Sequence, residues 1–220
     1  RQARERLLLQ QDLRKAIDQD ELTLHFQPQN RLEDETVVGL EALVRWNHPE
    51  RGHLTPDRFI PLAEEGPLIA PLTKWVIRNA CRQGRRWLDA GQDFGQLSVN
   101  ISANDFQRMD LPGCIEHTLA NTGFPAERLT MEVTEGALAD PDETTLADLR
   151  RLQQLGVSLA VDDFGTGYSS LAYLKTLPID ALKIDKGFVA GVPDDANDSA
   201  IVRTILAMGE ALGLEVIAEG

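Results

Sequence analysis

Seven side chains able to bind a cation, move a proton or neutralise a phosphate stand at or near the ends of apolar runs in this chain: Glu41, Asn100, Glu132, Asp162, Asp163, Lys183 and Glu219. The densest stretch is Val161-Asp162-Asp163-Phe164-Gly165-Thr166-Gly167-Tyr168-Ser169-Ser170. The run Val157 to Val161 reads as a buried strand that ends in two adjacent carboxylates and then two glycines. Charges at the end of an apolar strand are costly unless something cationic meets them. Adjacent strand residues point to opposite faces, so Asp162 and Asp163 are not expected side by side in one core. They can flank one metal or two where the strand opens into a loop, with the glycines turning the backbone beside the site. Taken alone, the stretch also reads as a solvated Asp-Asp turn with a Gly hinge. Lys183 alone would suggest a salt bridge, and Asn100 alone a hydrogen-bonded interior amide. Seven such residues at successive strand ends are hard to explain one at a time. Their five carboxylates would repel strongly if gathered unpaired. An all-oxygen set resolves this with Mg2+ or Mn2+ rather than zinc. Two such cations suit in-line displacement at phosphorus, with Lys183 steadying the nucleophile or the developing charge.

The elements that must position these residues follow from periodicity. Leu22 to Gln29 reads as a strand stopped by Pro28, and Thr36 to Trp46 as a second with Glu41, Leu43 and Arg45 on one face. That Glu and Arg are either a structural ion pair or a metal ligand and a phosphate clamp. Leu97–Ile101, Leu129–Thr134 and Leu159–Asp162 each carry aliphatics on one face; the other carries a small residue and then an oxygen ligand. Ala181–Asp185 and Leu214–Glu219 complete the set, with Ala181, Lys183 and Asp185 on one face. Strands lining a closed barrel need this pattern, with functional groups at the rim. Helical patterns lie between: residues 2–20 with Leu9, Leu13, Ala16 and Ile17 as a stripe; a helix from Thr55-Pro56; Pro71 to Ala90; one capped at Asp140-Pro141 with Leu146, Leu149, Leu152 and Leu155; and Asp198 to Leu212. About seven strands alternating with helices favour a parallel α/β fold of the (β/α)8 type over an open sheet. Residues 1–20 read as a linker or packing helix and 21–220 as one domain.

Bulk properties narrow the function. The 220 residues are 42% hydrophobic, enough for one large core, and the net charge is −13 with a pI near 4.7. Such a chain is a poor duplex nucleic-acid binder, and cations must mediate any contact with an anionic substrate. Cys81 and Cys114 form no disulfide framework and no zinc spacing, which suggests buried free thiols in a reducing compartment. No signal peptide or membrane-length apolar run is evident, so a cytoplasmic location is expected, free or as the cytoplasmic part of a membrane-anchored protein. The chain does not begin with Met and reads as a piece of a longer protein. There is no P-loop and no Gly-x-Ser-x-Gly elbow. His25, His48, His53 and His117 show no ligand spacing and receive no role.

Glu41-Ala42-Leu43-Val44-Arg45-Trp46 resembles the signature of the EAL domains, which hydrolyse the bacterial second messenger cyclic di-GMP to linear pGpG. The resemblance runs from about Leu22 to the last residue. It includes Phe26-Gln27-Pro28, Phe59-Ile60-Pro61-Leu62-Ala63, Ser98-Val99-Asn100-Ile101-Ser102, Glu132-Val133-Thr134-Glu135, the Asp162 to Ser170 stretch, Leu182-Lys183-Ile184-Asp185 and Ala218-Glu219-Gly220. It implies a TIM-like barrel whose first strand is antiparallel. It implies that Glu41, Asn100, Glu132 and Asp162 bind one divalent cation, and Asp162 and Asp163 a second, with Mg2+ or Mn2+ active and Ca2+ inhibitory. Lys183 would contact the catalytic water and Glu219 would act as ligand or base. Glu135 would order the loop after Glu132, and Gln27, Leu43 and Arg45 would touch the substrate. A homodimer, an upstream sensory or GGDEF-type domain, and a part in biofilm signalling are further implications. The chain departs from the family at Gln29-Asn30 and at Glu65-Gly66-Pro67. It also stops within the family's Glu-Gly-Val-Glu motif, so the last strand and helix are expected to be absent and the barrel to have an open seam. The alternative to hydrolysis is a non-catalytic cyclic di-GMP receptor, a class that usually lacks some of the metal ligands found here.

Overall fold

Buried side chains at Ala42, Val44, Trp46 and His48 alternate with less buried ones at Glu41, Leu43 and Arg45, and that two-residue period makes Val37–His48 the central strand (β2) of the first half of the molecule. The computed structural model describes residues 2–19, 21–167 and 174–219. Tyr168, Ser169, Ser170 and Gly220, which belong to the sequence motifs above, lie outside the described residues. The chain divides into two compact units, one ending at Leu129 and the other beginning at Thr130.

In the first unit β1 (Leu22–Asn30) pairs antiparallel with β2, β3 (Gly52–Leu54) pairs antiparallel with β2 at its far end, and β4 (Gln96–Ile101) runs parallel to β2. The expected antiparallel first strand is therefore present. Pro28 does not stop β1 as the sequence suggested; it pairs with Leu40 and the strand continues to Asn30. A proline withholds one N–H only, which a strand bonded along one side within its unit can tolerate. Among the described residues this unit has five α-helices: α1 (Gln2–Asp18), ahead of β1; α2 (Pro56–Glu65) and α3 (Ile69–Asp89), between β3 and β4; and α4 (Ala103–Arg108) and α5 (Leu111–Thr122), after β4. The stripe of α1 buries Leu9, Leu13 and Ala16, and the helix packs on α2 and α3. Its Gln10 donates to the carbonyl of Leu62, and Arg6 meets Glu65 at 2.5 Å. Trp46 and Phe59 are fully buried, edge to face at 5.7 Å, and Trp46 Nε1 donates to Glu21. Cys81 is buried in α3, where desolvation pushes its thiol up to about 12; Cys114 is only half-buried, so the expectation of two buried thiols holds for one. His48, given no role from sequence, uses Nδ1 to accept from the backbone N–H groups of Glu50 and Arg51 and so fixes the turn into β3.

The second unit is built on β5 (Leu129–Thr134), β6 (Ser158–Phe164), β7 (Ala181–Ile184) and β8 (Glu215–Ala218), each parallel to the next. Among the described residues it carries the α-helices α6 (Glu143–Gln154), α7 (Lys186–Ala190) and α8 (Ala196–Leu212). The cap of α6 is Asp142, whose side chain accepts from Thr145 N at 2.7 Å, rather than Asp140. Leu149 and Leu152 of the expected stripe are buried. Among the described residues no helix is long and apolar enough to cross a membrane.

Candidate active site

Each strand of the second unit delivers a charged group at or near its C-terminal end. β5 carries Glu132 and β7 carries Lys183; Asp162 and Asp163 come from β6, and Glu219 follows β8. Small residues precede the first of these on the same faces, Thr130 before Glu132, Ala160 before Asp162 and Ala181 before Lys183, which leaves room for charged side chains to converge. They converge on the ammonium of Lys183, which is 1% exposed. Its Nζ lies 2.6 Å from Glu132 Oε2, 2.7 Å from Glu219 Oε1 and 3.2 Å from Asp162 Oδ1. An ammonium has three N–H donors, and three carboxylates receive them. Such an arrangement offsets part of the desolvation cost of placing a lysine in the interior.

The strand β6 does not end at Val161, as the apolar run suggested; it continues to Phe164 through a break in register between Val161 and Phe164. Asp163 sits at that bulge with φ +52°, in the left-handed region where Asp is among the few tolerated side chains. Its N–H donates to Asp162 Oδ1 at 2.9 Å. The bulge overrides simple strand alternation. Oxygens of Asp162, Asp163 and Glu219 all lie within 4.8 Å of one another, although the two aspartates are adjacent in sequence. Burial, then the carboxylates of Asp162 and Asp185, raise the pKa of Asp163 above the ordinary aspartate value. The turn beyond needs Gly165, whose φ is +102° and whose missing side chain would collide with Phe188. Glu135 is 3% exposed, and its Oε2 accepts from the N–H groups of Gly165 and Gly167 at 2.9 and 3.0 Å. A residue just beyond β5 thus holds the loop that follows β6.

Three carboxylates, those of Glu132, Asp162 and Glu219, contact one ammonium, and the Asp163 carboxylate lies beside those of Asp162 and Glu219. The donors are hard oxygens, and negative charge exceeds positive. That chemistry fits a hard divalent cation.

In the first unit Glu41 and Asn100 come together. The parallel register sets Glu41 against Ser98, and Asn100 Nδ2 donates to Glu41 Oε1 at 2.8 Å. Gln27 is the register partner of Glu41 across the antiparallel ladder. Leu43 and Arg45 continue the face of Glu41 along β2, and the Arg45 guanidinium donates to the carbonyl of Val44 at 2.9 Å. Just past β4, Ser102 Oγ donates to Glu64 at 2.6 Å, and the buried Asp105 closes the cap of α4 and accepts from Thr73.

Two participants escaped the sequence reading. Asp185 was placed on the Lys183 face but given no role. Its side chain caps α7 through Gly187 N, and its negative charge helps raise the Asp163 pKa. An acid two residues after a site lysine, just before a helix start, was the available signal. Glu64 lay inside a helix whose pattern spoke only of packing.

The family model for the EAL domain matches residues 10–220. The chain belongs to the EAL-domain family. This EAL domain is 47% identical over 218 residues to the cyclic di-GMP phosphodiesterase NbdA of Pseudomonas aeruginosa, a match covering 99% of the chain and 28% of that protein. It is 43% identical over 218 residues to the bifunctional diguanylate cyclase/cyclic di-GMP phosphodiesterase MucR of the same species, covering 99% of the chain and 32% of MucR. The EAL domain therefore spans about a third of the length of these curated relatives. Among solved structures, the c-di-GMP complex of the PaMucR phosphodiesterase matches with a TM-score of 0.92 at 42% identity, over 97% of this chain and 86% of that one. The EAL enzyme Bd1971, bound to cAMP and cyclic di-GMP, matches with a TM-score of 0.92 at 31% identity, over 100% of this chain and 60% of that one. The fold is the α/β, TIM-barrel type of the EAL domains.

Proposed function

We propose that this EAL domain hydrolyses cyclic di-GMP to linear pGpG with the help of divalent cations, Mg2+ or Mn2+. The observation that carries the reading is the buried Lys183 hub, in which one ammonium is ringed by Glu132, Asp162 and Glu219 beside Asp163. Membership of a family with named cyclic di-GMP phosphodiesterases among its members supports the substrate class.

In this reading Glu41, Asn100, Glu132, Asp162 and Asp163 are the cation ligands, as the family resemblance implies. A cation held by them supplies Lewis acidity toward the phosphodiester. The chain's own groups do the rest. Lys183 releases one carboxylate contact and holds the attacking water by an N–H, so that the water oxygen faces phosphorus. Glu219 is the most exposed of the three carboxylates on Lys183, with 26% of its side chain accessible against 12% for Asp162 and 0% for Glu132. It takes up a proton of the water as the new P–O bond forms and the P–O bond to the ribose oxygen breaks, and that departing oxygen is protonated by solvent water. Arg45 exchanges its backbone contact for a phosphate oxygen, a geometry that suits a guanidinium. Gln27 and Leu43 contact the rest of the dinucleotide, and Glu135 positions the glycine turn behind Asp163. The protein is a cytoplasmic homodimer with a sensory or GGDEF-type domain upstream, and Ca2+ inhibits it.

The test is incubation of the chain with cyclic di-GMP and Mg2+ or Mn2+, chromatography for pGpG, and calorimetry for binding. Cation-dependent pGpG is the expected result. Binding without turnover under either cation would overturn hydrolysis in favour of the receptor alternative.

A further inference from the structure

The protein carries a strong excess of acid, 35 carboxylate residues against 22 Lys and Arg, yet five of those 22 line one groove between α3 and α5. The groove has a volume of about 430 Å3, and no carboxylate is among the described residues lining it. Four of its cations, Lys74, Arg78, Arg82 and Arg86, are spaced by four residues along α3, and all four are exposed. The fifth, Arg85, is engaged by Asp89 and the carbonyl of Gly123. Among the described residues none of the row of four forms an ion pair within the protein, although carboxylates are in surplus. The facing wall, from α5, offers His117 and Asn121, again four residues apart and exposed.

We propose that this groove is a docking surface for a helix of a protein partner that carries carboxylates at every fourth position. Residues four apart on a helix form its i±4n ridge, and two helices most often pack by interleaving such ridges at about −50°. In that crossing a ridge of carboxylates runs alongside the ridge Lys74–Arg78–Arg82–Arg86. Both repeats advance by about 6 Å, so charges meet in register along a row of about 18 Å. A row of separate cations fits a linear partner better than a compact anion, for which the cations would have to converge. Nucleic acid also presents a linear array of charge, but the net −13 of the chain opposes the approach of a long phosphate polymer. A helix of mixed composition, acidic along one ridge only, escapes most of that repulsion. None of the residues lining the groove is among the proposed catalytic or ligand residues, so it belongs to assembly or control rather than to turnover.

A labelled helical peptide of about 20 residues, alanine-rich with glutamates at every fourth position, is the probe. Its anisotropy is read against the full chain, beside a peptide of identical composition whose glutamates are scattered around the helix and a single-stranded oligonucleotide of equal charge. The ridge peptide is expected to bind at least about tenfold more tightly than the scattered one, and to weaken as salt rises. Arg78→Gln with Arg82→Gln removes that preference. Arg78→Lys with Arg82→Lys keeps most of it, and circular dichroism confirms that both variants are folded. Equal binding of the two peptides, no loss in the Gln variant, or tighter binding of the oligonucleotide overturns the proposal.

Discussion

The two units treat their acidic residues in opposite ways. In the second, Glu132 and Lys183 are each 1% exposed and Asp162 is 9% exposed, and an ammonium with three carboxylate contacts holds the group together. In the first, Glu41 is partly exposed and meets the neutral amide of the exposed Asn100. The buried acid of that unit, Asp105, has no ammonium; Oδ2 accepts from Thr73 and from the N–H of Ser102, while Oδ1 has no hydrogen-bond partner. A buried ion cluster is coupled to the stability of the fold, because removing one member strands the others. A partly exposed contact between a carboxylate and an amide can be rearranged at little cost. Function and stability should therefore separate by mutation in the first unit and stay joined in the second.

The strongest way to break this contrast is Lys183→Met. It leaves Glu132, Asp162 and Glu219 without their common cation, and a loss of about 3–5 kcal/mol in unfolding free energy is expected together with loss of pGpG formation. Urea denaturation without added metal reads the first effect; an unchanged midpoint would show that the hub is not structural. Glu41→Ala should abolish hydrolysis equally well while costing less than about 1 kcal/mol of stability, since it deletes a partly exposed pair. Retained turnover in that variant would remove Glu41 from the ligand set. Glu135→Gln keeps the volume but turns a charged acceptor for two glycine N–H groups into a neutral one. A roughly tenfold drop in kcat is expected, with the denaturation midpoint moving by no more than about 1 kcal/mol. The smallest effect concerns pH. Burial, opposed by the hydrogen bonds from Ser102 and Thr73, raises the Asp105 pKa above its ordinary 3.8. A group whose folded pKa is raised stabilises fully below its unfolded pKa and loses that contribution as pH rises through the folded one. The stability of the natural chain relative to Asp105→Asn should therefore decline from pH 4 upward and level off above the raised value. Denaturation at a series of pH values checks this; a relative stability that climbs with pH would reverse the assignment.

Much of the fold was legible in the chain. The two-residue alternation in β2 and the leucine stripe of α6 are imposed by burial on one face, and burial is written in residue type. The β1 extension through Pro28 and the true cap at Asp142 were not, because a proline or an aspartate shows its tolerance only once its neighbours' hydrogen bonds are known. β3 was missed altogether: three residues are too few for a period to show.

The candidate site divides along the same line. Residue types alone determined that a set of hard oxygen donors and one lysine recur at strand ends, and that their chemistry points to cations and phosphorus. Only the tertiary structure decided that Lys183 meets Glu132, Asp162 and Glu219, which are 51, 21 and 36 residues away in sequence. Only it decided that a bulge with a left-handed Asp163 defeats strand alternation, and that Glu135 holds the turn at Gly165 and Gly167. The physical reason is that local pattern encodes which face of an element is buried, while the pairing of charges depends on register and backbone exceptions set by many distant contacts at once.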